Sequence, residues 1–448
     1  MPRPDLPVLT SPEPLVDDAF AAAAAGWPEL TRPGADLTFP LSGRFVAPGG
    51  FFDWFFYWDS YFTVLGLTVG GQWQLAREIV DAMVESIEEF GLVPNYNSPD
   101  GICRSRSQSP FLTDAIIEVW PSVTDRVWLE RAVTAATTEY EEYWTSEPHL
   151  TDLGLSRYVD TTGEGCETVP DTPHHRAMAE SGWDNTARFG NDASQVVAID
   201  LNAQLYRYET DLSHLCRALG DDDLAAVWAG RARKRRDRVN ELCWDERTGW
   251  FHDVSLDTGR RLEGTPMSLA SFVPLWAGMA TDAQAARLVD HLPVFEAAHG
   301  LTATEPGWDD GTEHTWPTGW AYSHWYVCEG LRRYGYQQHA QRIAHKWLRR
   351  VAGTHAETGQ FLERYNVIDP AGPTPGRYRP QPGFAWTNAV FVALVVRVLF
   401  GHQAARPRAG TPPEAWANRA HLEVPSYPWR SAPPARHDHE RRKTDPER

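Results

Sequence analysis

The sequence is poor in cysteine, in basic charge and in uninterrupted apolar runs. Five cysteines, Cys103, Cys166, Cys216, Cys243 and Cys328, are spread over 448 residues. Their number is odd and none sits in a CxxC pair. A disulfide framework and a zinc site are both disfavoured, and buried free thiols in a reducing compartment are expected. Lys and Arg total 42 against 60 Asp and Glu, a net charge of −18. Phosphate contacts need clustered positive charge, so nucleic-acid binding is excluded as a function class. The acidic balance itself is the ordinary state of a soluble cytosolic protein. The longest apolar run, Phe391 to Phe400, is interrupted by Arg397 and falls far short of a membrane span. The opening stretch MPRPDLPVLTSPEPLVDD has no apolar core and carries early acids, unlike a signal peptide. No H-E-x-x-H, CxxC or EF-hand spacing occurs, so neither metal nor cofactor is expected. These absences point to a cytoplasmic protein with neither nucleic acid nor membrane as a partner.

What is present is apolar bulk and tryptophan. Hydrophobic residues make up 42% of the chain, enough for a sizeable core, and there are 20 Trp. Large aromatics fill the cores of helical proteins, but an indole also stacks on a sugar ring while its N–H reaches a hydroxyl. Apolar residues recur at helical spacing over Gln72–Phe90, which stops at Gly91, and over Thr124–Tyr143, Ala193–Leu219 and Asp222–Cys243. The pattern continues over Pro266–Ala280, Thr281–Leu292, Trp320–Tyr334, Gln337–Val351 and Trp386–Phe400. Short Gly, Asp or Pro turns join many of these into pairs. Strand signals are sparse; GWFHDV and the nearby RRLEG form a possible hairpin. No fixed-period repeat is present. Successive helix hairpins predict an all-α (α/α)6 toroid with long catalytic loops at one end and minor β-hairpins. Residues 1–40 read as an N-terminal arm, 41–403 as the catalytic domain, and 404–448 as a Pro- and Arg-rich tail whose end is disordered.

Four loop-like stretches hold polar and aromatic residues that packing does not explain: Pro48–Phe62, Val93–Pro110, Ala179–Phe189, and Phe361–Val367 with Pro382–Val390. On residue chemistry alone they are ambiguous. Asp184 and Asp59 read as helix N-caps as readily as functional acids. Glu363 reads as a surface ion pair with Arg364, and Arg106 as a partner of Asp114 or Glu118. Asn95 suits a turn after Pro94, and Trp316, Trp320 and Trp386 suit either core or a sugar wall.

Taken together and in order, these stretches resemble the trehalases of glycoside hydrolase family 37. The signature PGGRFxExYxWDSYF is matched by Pro48, Gly49, Gly50, Phe52, Trp58, Asp59, Ser60, Tyr61 and Phe62. A PN…RSQPP stretch is matched by Pro94, Asn95, Arg106, Ser107 and Gln108, and AESGWDFSSRW by Ala179 to Asp184 and Arg188. VDLNALLY is matched around Asp200, and EKYD with GFGWTNGV by Glu363, Tyr365, Gly383, Phe384, Trp386, Thr387 and Asn388. The resemblance implies a small α-glucoside as substrate and a pair of carboxylates as catalyst. Glycosidic cleavage needs an acid on the leaving oxygen and a base on water. The resemblance makes Asp184 that acid and Glu363 that base, with inversion and carboxyl groups roughly 6.5–9.5 Å apart. Trp183 would raise the Asp184 pKa by excluding water. Trp58, Asp59, Asn95 and Arg106 match positions that hold the innermost glucose. Phe52 and Gln108 lie in the same blocks, and Trp316, Trp320 and Trp386 would wall the sugar.

The departures concern the leaving group. The signature Arg is Phe51, and the PRPESYRED stretch has no counterpart in GEGCETVPDTPHHRAMAES. The second signature, QWDxPxGWA, has become Glu313-His314-Thr315-Trp316-Pro317-Thr318-Gly319-Trp320-Ala321. The acid of the GGGGEY lid is Arg377. Charged hydrogen bonds are worth about 1.5–3 kcal/mol each, so these losses predict an altered leaving-group preference. The related family 63 enzymes share the barrel and an ESGWDNS-like motif, which Asp184-Asn185-Thr186 resembles. Some of them cleave glucosylglycerate or mannosylglycerate, and Arg377, Arg188 or His314 would be the candidates for binding such an anion. A non-catalytic sugar-binding relative would have lost one of the carboxylates, and both are here. A barrel lyase or epimerase would need His or Tyr in the cup, and none of the sixteen His lies in a matched motif.

Overall fold

The computed structural model describes residues 14–401 apart from 124, 169, 309 and 310. The tail read as 404–448 lies outside these residues. Helices α1 (Pro14–Ala25) and α2 (Trp27–Leu30) come first. The hairpin α3 (Tyr57–Val69) and α4 (Trp73–Phe90) follows, then α5 (Leu112–Val123) and α6 (Arg126–Thr138). After α7 (Pro173–Ser181) come α8 (Ile199–Ala218) and α9 (Asp222–Leu242), then α10 (Val273–Ala277) and α11 (Asp282–Phe295). The last are α12 (Ala321–Arg333), α13 (Gln337–Thr358) and α14 (Ala385–Ala393).

Helices α3, α5, α8, α10, α12 and α14 each pack on the next, and α14 packs back on α3. Among the described residues they form a closed inner ring, the (α/α)6 toroid expected from the hairpin pattern. Helices α4, α6, α9 and α13 pack outside their inner neighbours. Helix α1 packs on α13 and α14 and buries Val16, Ala19, Phe20 and Ala23. The described part of the segment read as an arm therefore supplies part of the outer layer.

Position in the ring explains which helices the sequence pattern reveals. Every residue of α3 is buried, so it has no polar stripe to set against an apolar one, and it reads as a loop motif. The outer helix α4 alternates buried and half-exposed residues and shows the periodicity clearly. The run expected as a helix from Ala193 begins at Ile199, because Val196–Val197 pair with Val254–Ser255 as short strands. The run expected over Pro266–Ala280 shrinks to a 3₁₀ turn at Leu269–Phe272 and the five-residue α10. The runs ending at Tyr143 and Phe400 change from α to π geometry at Glu139 and Leu394. The suggested hairpin is reduced to a single bridge between Val254 and Arg261, because Trp250–Phe251 pair instead with the upstream Trp244–Asp245.

The centre of the ring is filled, not hollow. Tyr61 stacks on Phe111 at 4.5 Å, and Trp276 meets Tyr326 at 5.0 Å. Trp144, Trp228, Trp276, Trp325 and Trp347 are fully buried, so packing accounts for much of the tryptophan content. Charged pairs cross the same interior. Arg207 meets Asp114 at 2.6 Å, and Arg397 meets Glu118 at 2.6 Å. These acids are thus taken, and Arg106 pairs instead with Asp160 at 3.1 Å.

One expectation about cysteine is corrected. Cys103 and Cys166 form a disulfide, with Cα atoms 4.5 Å apart. They are far apart in sequence, and only the fold brings the Ile102–Cys103 strand against the loop that precedes α7. Cys216, Cys243 and Cys328 are buried free thiols, as expected.

Candidate active site

The loops before α3, α5, α8, α12 and α14 converge on one cavity at the N-terminal ends of these inner helices. Its empty space, open mouth included, is about 550 Å³. Asp59, Asp184, Glu313 and Glu363 bring four carboxylates to its lining. Phe52, Trp58, Gln108, Trp320 and Trp386, expected at the sugar site, also line it. Trp58, Trp320 and Trp386 meet edge to face at 5.7–5.9 Å, and Tyr322 supports Trp58 from 4.6 Å.

Asp184 is placed by the end of α7. Gly182 closes that helix at φ +73°, where a Cβ would lie 2.8 Å from the Trp58 ring. Glycine therefore lets the chain pass against the indole and swing Asp184 into the cavity. His314 Nδ1–H donates to the Asp184 carbonyl at 2.5 Å, which fixes the tautomer because a carbonyl only accepts. Burial pushes the His314 pKa down to about 4, so the ring is neutral. Asp184 is no helix cap. Its carboxyl faces the cup, and burial among the cup walls pushes its pKa up to about 6. Arg377, 3.9 Å away, and Arg106 oppose this rise, while Glu313 adds to it.

Glu363 precedes the Arg364–Asn366 strand, which pairs antiparallel with Thr318–Trp320. The Tyr378 hydroxyl donates to its Oε1 at 2.7 Å. Arg364 Nη1 and the Gln381 N–H donate to its Oε2 at 2.5 and 3.3 Å. Trp386 Nε1 donates to the Glu363 carbonyl at 3.1 Å. The Arg364 pairing that the bare sequence suggests is real, but both side chains are buried (0% and 4% exposed) rather than on the surface. Burial raises the Glu363 pKa against the opposing pull of Arg364 and Tyr378. Asp59 sits in the first turn of α3, and its pKa rises to about 8 through burial, then repulsion from Glu363 and Asp184.

Four sequence-predicted residues stand behind the lining. Asn95 Nδ2 donates to the Ser107 and Ala179 carbonyls, tying the loop before α5 to α7. Arg106 is buried on Asp160. Trp183 packs beneath Asp184 against Tyr322 and His314. Trp316 is half-buried, and its main-chain N–H donates to Thr304 Oγ1 at 2.9 Å. Arg188, weighed as an anion-binding group, is buried on Asp200 and Asp253 and does not reach the cavity lining. Sequence reasoning missed Glu313 and Tyr378 as lining residues. Both occupy altered signature blocks, and those blocks were the available signal.

The chain matches the sequence pattern of the Trehalase family over residues 27–174 and 164–398. The chain belongs to the trehalase family. It is 31% identical over 424 residues to the cytosolic neutral trehalase of Kluyveromyces lactis, covering 78% of this chain and 55% of that protein. The cytosolic neutral trehalase of Pyricularia oryzae is also 31% identical, with 79% and 58% covered. This trehalase-family chain thus spans a little over half the length of the curated relatives it matches. Among solved structures, neutral trehalase Nth1 from Saccharomyces cerevisiae superposes with a TM-score of 0.69 at 27% identity, covering 84% and 77% of the two chains. The GH63 mannosylglycerate hydrolase of Thermus thermophilus shares the fold, with a TM-score of 0.62 at 17% identity, covering 84% of this chain and all of that one.

Proposed function

We propose that this trehalase-family chain is an inverting α-glycosidase that hydrolyses a small α-glucoside, with Asp184 as general acid and Glu363 as general base. The observation that carries this reading is that two carboxylates, Asp184 and Glu363, face one cup with different partners. Asp184 sits where burial holds a proton on it up to about pH 6, which suits donation to a leaving oxygen. Glu363 is held by Arg364, Tyr378 and the Gln381 N–H, bonds that favour the ionised form needed to take a proton from water. The reaction runs in one displacement: Glu363 takes a proton from water, the water oxygen attacks the anomeric carbon from the opposite face, and Asp184 protonates the departing oxygen. Trp58, Trp320 and Trp386 stack against the ring, and Asp59 accepts its hydroxyls.

The curated relatives are named cytosolic neutral trehalases, which supports trehalose as a substrate and a cytoplasmic location. Among the described residues no helix is long and apolar enough to cross a membrane. A second reading, a glucoside with a different leaving group, is favoured by Phe51, 55% exposed beside Tyr378 where the signature has Arg. The test is hydrolysis of trehalose and glucosylglycerate by wild type, Asp184→Asn and Glu363→Gln, with the product anomer read by proton NMR. Loss of about 10²–10⁴-fold in kcat with an inverted first product is expected. Unchanged turnover in Asp184→Asn would sink the assignment.

A further inference from the structure

The two altered signature blocks meet in space. Glu313 stands at the Gln position of the second signature, and Arg377 at the acid position of the lid. Glu313 is buried, 1% exposed, yet lines the cavity. Its Oε1 accepts the Arg377 main-chain N–H at 2.7 Å and lies 3.5 Å from Arg377 Nε. Its Oε2 is buried and, among the described residues, has no hydrogen-bond partner. On the other side of the same turn, Arg364 donates to the Pro375 carbonyl at 3.2 Å and to the Tyr378 carbonyl. Gly376 sits between these anchors at φ +140°, where a Cβ would fall 2.8 Å from Glu313 Cγ. The Pro375–Tyr378 turn is thus seated from both sides. It delivers Arg377 to Asp184 at 3.9 Å and Tyr378 to Glu363 at 2.7 Å.

We propose that Glu313 is a positioning residue that seats Arg377 beside the Asp184 carboxyl, and that this charge pair sets the proton affinity of the acid. The inference rests on the reading of Asp184 as general acid. Arg377 favours the ionised carboxylate, and the Glu313 charge disfavours it. The other charged or titratable groups around Asp184 stay constant in this comparison. Arg106 approaches from the loop before α5, Asp59 from α3, and Tyr322 from α12. Glu363 and Tyr378 face it from the strand and turn before α14, and neutral His314 holds its carbonyl. His175 on α7 faces Arg377.

The pair makes a prediction of opposite signs. In Glu313→Gln the amide oxygen still accepts the Arg377 main-chain N–H, so the turn keeps its seat, while the repulsion from the Glu313 charge disappears and the acid loses its proton at lower pH. The basic limb of kcat/KM then moves down. In Arg377→Gln the attraction disappears, and the same limb moves up. A charge at this range shifts a carboxyl by about one unit, so limbs displaced by about one pH unit in opposite directions are expected. The experiment measures kcat/KM from pH 4 to 9 for wild type and both variants on an α-glucoside that wild type hydrolyses. A uniform fall in kcat/KM with an unmoved limb, or shifts of the same sign, overturns the proposal. Arg377 is half exposed, so Arg377→Gln keeps the fold even where Glu313→Gln does not. An unmoved or lowered limb in that variant alone is then decisive. Failure of the acid assignment itself would appear separately, as retained turnover in Asp184→Asn.

Discussion

Replacing Tyr378 with Phe isolates one bond to the proposed base. The hydroxyl donates to Glu363 Oε1 at 2.7 Å. The ring keeps its neighbours in the variant: Phe51 and Phe52 at 5.4 and 6.0 Å, and the Arg364 guanidinium at 4.6 Å. The Tyr378 carbonyl still accepts from Arg364, so the turn stays pinned. What is lost is a hydrogen bond to a charged group, worth about 1.5–3 kcal/mol. At about 1.36 kcal/mol per unit, this raises the Glu363 pKa by roughly one to two units. The bond stabilises the ionised carboxylate, and the base must be ionised to act. The acid limb of kcat/KM, which reports free enzyme, therefore moves to higher pH by roughly one to two units. Activity falls roughly ten- to a hundredfold on the acid side and is nearly preserved on the alkaline plateau. The assay is a kcat/KM profile with circular dichroism as a fold control. A limb that stays in place or moves to lower pH would refute the role of Glu363 as base or the account of its tuning.

Two further substitutions test the cup. Asp59 keeps its proton to about pH 8 in the folded state against an ordinary value of 3.8; the folded chain then binds the extra proton across that window, and stability falls as pH rises through it. Asp59→Asn is expected to melt higher than wild type by a margin that grows from pH 5 to pH 8, while turnover collapses; equal margins at both pH values, read by thermal melts, would contradict the burial account. Gly182→Ala meets the Trp58 ring at 2.8 Å and a left-handed φ, so it is expected to cost about 1–3 kcal/mol and to lower kcat by misplacing Asp184; wild-type turnover and melting temperature would show that the close approach is unimportant.

The sequence reveals the outer layer and the two proposed catalytic carboxylates far better than it reveals the ring they serve. Helices such as α4 and α13 carry a wet face and a dry face, so their periodicity survives in a string of letters. Helix α3 is dry on all sides, and its residues pass for a motif. Asp184 and Glu363 stand out through their signature neighbours, but Glu363 alone is ambiguous because its Arg364 partner lies next to it. Burial, which sequence does not display, turns that pair from surface decoration into the setting of the proposed base. Asn95 and Arg106 show the reverse. They lie in matched blocks, yet one ties loops together and the other sits on Asp160. The Cys103–Cys166 bond and the Glu313–Arg377 pair join segments distant in sequence, and no local rule indicates either.

The packing of α1 on α13 and α14 has a consequence for how the ring forms. The helix that is synthesised early presents Val16, Phe20 and their neighbours to water until the last hairpin of the ring has been made. The same seam joins α14 to α3 and sets the loop before α14, with Glu363, against the loops before α3 and α12. A fragment ending before α14 contains Asp184 and Glu363 but lacks the inner helix that closes the ring on α3.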